Sequence, residues 1–198
     1  MIIFIVNDFF MRIIITENQL KLITEQLDSS QFVRASDLKA SQWYWDHIRD
    51  EESLKCKAYN IGDGKWTIGY GHTEGVKEGD VLGDGENCEK EATEKLQEDS
   101  NYHAKRLRKI FKKWEDEGIY VPITQNMYDS LLSLSFNGGS GGLMRSNVIA
   151  LLKSIGVLDS NDYKKAAETI KTYRVSSKFP GLTDRREKEY QHFVKGLR

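Results

Sequence analysis

Residues 57–73 read Lys-Ala-Tyr-Asn-Ile-Gly-Asp-Gly-Lys-Trp-Thr-Ile-Gly-Tyr-Gly-His-Thr, two aromatic and β-branched runs on either side of a Gly-Asp-Gly turn. Asp-Gly between such runs is the strongest short-range hairpin signal, because tight hairpin turns need backbone with positive φ. A small antiparallel sheet is therefore expected here. Just upstream, Trp45, Ile48 and Leu54 are spaced for a helix, which carries Glu52 near its end. A helix running directly into a hairpin brings residues of both around one short crossing of the chain.

The rest of the chain reads as helical. Residues 87–111 predict one long helix, with Ala92, Leu96, Leu107 and Phe111 apolar and charge elsewhere. Beyond Pro122, apolar spacing recurs at Met127, Leu131, Leu132 and Leu134, then over 148–152, then over 163–173. The expected class is α+β, a small hairpin-bearing lobe and a larger helical lobe joined by the long helix. Thr16-Glu17-Asn18-Gln19 has the form of a capping box and predicts a short helix. Residues 1–46 are read as an N-terminal extension without an assigned role, and 47–198 as the functional domain.

Charge narrows the partners. With 29 basic and 30 acidic residues the net charge is -1, so there is no global pull toward nucleic acid. The basic run Lys105-Arg106-Leu107-Arg108-Lys109, with Lys112 and Lys113, could meet an anionic polymer, but a solvated helix face is the expectation. The apolar start is broken by Asp8 and Arg12, well short of the roughly 20 residues of a membrane helix. It also lacks the basic leader and small-residue cleavage site of a secretory signal. No stable membrane insertion and a monomer are expected. A disulfide between Cys56 and Cys88 stays open, but sequence alone does not supply the geometry for pairing, and two buried free thiols are the expectation.

Glu52 and the turn residue Asp63 could place two carboxylates across a groove, with Thr67 just past the turn to hold a water. Glycoside hydrolysis asks for that pair: an acid to protonate the leaving oxygen and a second carboxylate to act on water or sugar. Each residue has a plainer reading alone. Glu52 could be a solvated helix residue, Asp63 a turn former and Thr67 a strand residue.

Glu52-Ser-Leu-Lys-Cys-Lys-Ala-Tyr followed by Trp66-Thr-Ile-Gly-Tyr-Gly-His-Thr73 closely resembles the phage-type lysozymes, glycoside hydrolase family 24. Thr124-Gln125-Asn126-Met127-Tyr128, Ser135-Phe136-Asn137-Gly138-Gly139 and Arg185-Arg186-Glu187 extend the likeness over roughly residues 47–196. The resemblance implies a lysozyme-like fold and a muramidase that cleaves between N-acetylmuramic acid and N-acetylglucosamine in bacterial peptidoglycan, an endolysin of host lysis. It needs no cofactor or metal, and such an enzyme waits in the cytoplasm of the infected bacterium until released to the wall.

Position by position, the resemblance puts the family's acid at Glu52 and its water-positioning threonine at Thr67. Thr73, Phe136 and Ser146 become groove-lining candidates, and His72 a buried structural histidine. Arg185 and Arg186 either meet substrate carboxylates or form internal ion pairs. The family's aspartate falls on Ile61, which can neither take a proton nor orient water. Asp63, two residues on, is the candidate substitute. The alternatives are a single-Glu lytic transglycosylase and an inactive wall-binding or virion module.

Overall fold

The computed structural model describes residues 4–5, 14–15, 32–60, 62, 64–154, 160–176 and 181–197. The helix expected from the capping box at Thr16 onward through Leu27, and positions 61 and 63, lie outside them. A short antiparallel ribbon, β1 (Phe4–Ile5) with β2 (Ile14–Ile15), comes first. The chain then joins the main body, where Val33 and Ile123 exchange backbone hydrogen bonds and Ala35 is buried.

Helix α1 (Gln42–Glu52) starts on a borrowed cap. The Ser41 N–H and hydroxyl both donate to the buried carboxylate of Asp129, at 3.1 and 2.6 Å. This satisfies a polar group at the helix start and aims α1 across the large lobe. Tyr44 and Ile48 form its fully buried stripe, and Glu52 continues that i, i+4 row by one turn. Sequence spacing had carried the helix to Leu54. The chain instead turns at Ser53, whose φ is 52° and whose N–H donates to the Arg49 carbonyl.

Strands β3 (Lys55–Asn60) and β4 (Trp66–Gly69) pair antiparallel, with Tyr59 opposite Thr67 and Asn60 opposite Trp66. This is the expected hairpin, turned at its tip by the Gly62 N–H donating to the Asn60 side chain at 2.6 Å. Helix α2 (Glu86–Asp116) follows, 31 residues and so about 46 Å long. Its buried row Cys88, Ala92, Leu96, Ser100 and Ala104 runs at four-residue intervals along the side facing both lobes. Small residues in that row let β4 come close: a Cβ at Gly69 would stand 3.2 Å from the Ala92 Cβ.

The large lobe is a helical cluster around α3 (Gln125–Gly138), which is buried continuously from Met127 to Ser135. Thr124 caps it, accepting from the Met127 N–H at 3.3 Å. Around it lie α4 (Ser140–Met144), α5 (Asn147–Ser154), α6 (Ser160–Glu168) and α7 (Leu182–Lys195). The architecture is the α+β arrangement expected. No helix among the described residues is long and apolar enough to cross a membrane.

The cysteines correct the sequence reading. Cys56 on β3 and Cys88 in the first turn of α2 form a disulfide, with Cα atoms 5.7 Å apart. They sit 32 residues apart in sequence, and only the folding of the hairpin onto α2 brings them together. A covalent loop of that size stabilises by roughly 3.5–4 kcal/mol through the unfolded state. The double variant Cys56→Ser/Cys88→Ser is accordingly expected to lose about that much unfolding free energy, and so to unfold at lower denaturant. Chemical unfolding of both forms checks it, and equal midpoints would show that the bridge adds nothing.

Candidate active site

Glu52 is the last residue of α1, and three elements surround its carboxyl group. The first is α7. The Arg185 Nη1–H donates to Glu52 Oε1 at 2.6 Å, with the Arg185 side chain 4% and the Glu52 side chain 20% exposed. The second is the backbone after β4. Ile68 and His72 exchange both backbone hydrogen bonds at 2.9 Å, closing a tight three-residue turn over Gly69, Tyr70 and Gly71. Gly71 has φ of +87°, and a Cβ there would lie 3.1 Å from Glu52 Oε2. Only glycine meets both conditions without strain. The third element is β3, where Tyr59 is close enough that burial and the Glu52 charge push its phenol up.

Thr67 faces Tyr59 across the hairpin, so the strand register draws Thr67 to the same end of the sheet as Glu52's neighbour. His72 is buried, and its Nδ1 lies 2.9 Å from Asp99 Oδ2 on α2, a tie between the hairpin and the long helix. Thr73, next in sequence, is exposed. Phe136 is half-buried on α3 with its ring 5.7 Å from that of His103. The Ser146 hydroxyl donates to the Leu143 carbonyl at 2.6 Å and accepts from the Ile149 N–H at 3.5 Å, an arrangement that caps α5. Asp63 and Ile61 lie outside the described residues.

Behind Glu52 lies a buried ionic cluster. Arg185 Nε donates to Glu189 Oε1 at 3.4 Å, and Arg186 donates to Glu189 Oε2, to the Asn137 side chain and, at 2.9 Å, to the Tyr173 carbonyl. Ser133 adds a 2.5 Å donation to Glu189 Oε1, and His47 Nε2 stands 3.7 Å away. Burial opposes charge on Glu189, yet His47, the two arginines and Ser133 together hold its carboxyl below the ordinary range. Of the two readings of the arginines, the structure holds the internal ion pairs: both pair with Glu189, and Arg185 also reaches Glu52. On the outer side, Lys188 contacts Glu51 at 2.7 Å and Asp50 at 3.0 Å, a second tie from α7 to α1.

Sequence reasoning passed over three of these residues. Glu189 was signalled by its spacing, three and four residues after Arg186 and Arg185 on a helix. Gly71 was signalled by Gly-Tyr-Gly, a second turn inside the motif. Tyr59 carried no signal of its own, because adjacency to Glu52 depends on how the hairpin packs. Among the described residues, no group of three or more His, Cys, Asp or Glu side chains could hold a metal ion.

A carboxylate at the junction of a helix and a hairpin, gripped by one buried arginine on a two-lobed α+β frame, defines a lysozyme-like glycoside hydrolase. Residues 49–189 match the phage lysozyme family. The chain belongs to that family. An endolysin of Acyrthosiphon pisum secondary endosymbiont phage 1 is 34% identical over 148 residues, spanning 72% of this chain and 88% of that relative. The endolysin of Salmonella phage P22 is 30% identical over 149 residues, spanning 74% and 92%. The muramidase domain of SpmX from Asticaccaulis excentricus superposes with a TM-score of 0.62 at 25% identity, covering 79% of this chain and 97% of that domain.

Proposed function

We propose that this peptidoglycan hydrolase cleaves between N-acetylmuramic acid and N-acetylglucosamine, with Glu52 as general acid, Thr67 orienting the water and Asp63 as base. The observation that carries the reading is the placement of Glu52. Its Oε1 is engaged by Arg185, while Oε2 faces Gly71 and has no hydrogen-bond partner among the described residues. Protonating a leaving oxygen needs a positioned carboxyl group with one oxygen available to carry the proton. Oε2 fits that role.

Thr67 lies opposite Tyr59, so a water on its hydroxyl would sit on the Glu52 side of the hairpin. Asp63 is assigned from its place in the turn, two residues past the isoleucine that stands where the family has aspartate. Thr73 and Phe136 have surface to offer a glycan, whereas the hydroxyl of Ser146 is already spent on α5. The protein is taken to act as a phage endolysin, as a monomer, held in the cytoplasm of the infected bacterium until it reaches the wall. The specific feature favouring another reading is Ile61, which suits a single-Glu lytic transglycosylase.

Product chemistry separates these. Digestion of purified walls by the wild type is expected to leave reducing muramic ends in mass spectrometry. Asp63→Asn is expected to slow clearing by about 100-fold or more. Anhydro-muramic ends with undiminished clearing by Asp63→Asn would establish the transglycosylase route. No clearing of several wall types by wild type would overturn the hydrolase reading and favour a binding module.

A further inference from the structure

On the large lobe, α2, α4 and α5 enclose a groove of about 380 Å³ that shares no lining residue with the Glu52 cluster. Its floor is apolar. Ile110, Trp114 and Ile149 are buried there, Ala150 borders it, and Met144 stands over it 59% exposed. Its rim carries three cations, Lys109, Lys113 and Lys153. Lys153 and Lys113 are drawn to Glu117, at 2.8 and 3.8 Å, while Lys109 has no ion-pair partner among the described residues. Part of the basic run read as a solvated face is therefore the edge of a concave site.

We propose that this groove binds the stem peptide of peptidoglycan, as a second contact with the wall separate from the glycan-cleaving centre. The proposal rests on the peptidoglycan reading above. A stem peptide carries the free carboxylates of its glutamate and diamino acid between terminal alanine methyl groups, anions for the lysine rim and methyls for the apolar floor. A wall polymer of phosphates and polyols would satisfy the rim and leave Trp114 and Ile149 uncovered. A flat bilayer surface cannot enter a concave floor, whereas a single extended peptide can. Binding a stem here would hold the enzyme on the mesh between cleavage events, since linked sites convert rebinding into a local step.

The test uses the full chain carrying Glu52→Gln, so that binding is read without turnover. Titration with a reduced muramyl tetrapeptide is compared with titration of an N-acetylglucosamine oligosaccharide and of phosphatidylglycerol vesicles. Two variants address the groove: Lys109→Glu/Lys113→Glu reverses the rim, and Ala150→Trp fills the floor without changing charge. Each is expected to weaken tetrapeptide binding by about ten-fold, the first through the loss of a few exposed charge contacts and the second by occupying the space the peptide would fill, and to leave oligosaccharide binding unchanged. In the Glu52 background the same changes should raise KM on intact walls and leave kcat as it was. Tetrapeptide affinity that is equal in parent and both variants overturns the proposal, as does capture of vesicles but not tetrapeptide. The hydrolase reading fails on a different result, the absence of released glycan fragments from wild type.

Discussion

Glu52→Gln is expected to lower the rate of wall clearing by about 10²–10⁴-fold while leaving the protein folded. The amide oxygen of glutamine can still accept from Arg185 Nη1, so the 2.6 Å contact that anchors the end of α1 has a replacement. The side chain keeps its shape against Gly71, where less than a methyl group's clearance exists. What is lost is the ability to carry and give up a proton. Because 20% of the Glu52 side chain is exposed, the neutral amide is not stranded in a dry interior. Turbidity loss of wall suspensions together with a thermal melt separates the two effects. Clearing at wild-type speed by a folded Glu52→Gln protein would remove Glu52 from the chemistry.

The second large effect lies one layer deeper. Glu189→Ala is expected to destabilise the protein by about 3–5 kcal/mol, the usual cost of breaking a buried ion pair by removing one partner. Glu189 is fully buried and accepts from Arg185, Arg186 and Ser133. Without it, two guanidinium groups that are 4% and 0% exposed share less negative charge than their burial demands. Arg185 already has a buried Nη2 without a hydrogen-bond partner among the described residues, so it has little capacity to compensate. Denaturant unfolding measures the change, and a shift under about 1 kcal/mol would mean that the cluster relaxes around the gap.

The same group sets an acid limit. The Glu189 carboxyl is held below its ordinary range in the folded state. Its contribution to stability is therefore complete above the unfolded carboxyl pKa and is lost as pH falls through the lowered folded value. Wild type should lose stability on that acid side more steeply than Glu189→Ala, which no longer has the proton to take up.

These two experiments probe residues of different legibility. The hairpin and the position of Glu52 at the end of the helix before it were readable because each depends on neighbours within a few residues: an i, i+4 row and a Gly-Asp-Gly bend. The long helix was readable for the same reason, although its ends ran further than its apolar spacing, to Glu86 and Asp116. His72 was placed as a structural residue, but its partner Asp99 was not, being 27 residues away. Arg185 was flagged with two roles left open, since nothing local says whether a helical arginine faces inward.

Local order along the chain was thus enough to define the α+β class, the hairpin and the carboxylate that ends α1. Tertiary packing alone settled which groups face that carboxylate, Arg185 from 133 residues away and Gly71 from the second turn, and it alone made the Cys56–Cys88 bridge that clamps the hairpin to α2. The reason is physical. Backbone propensity and side-chain periodicity act over one or two turns of chain, whereas the pairing of buried charges and thiols follows from how whole elements cross, and two residues on crossing elements carry no record of each other in their own neighbourhoods.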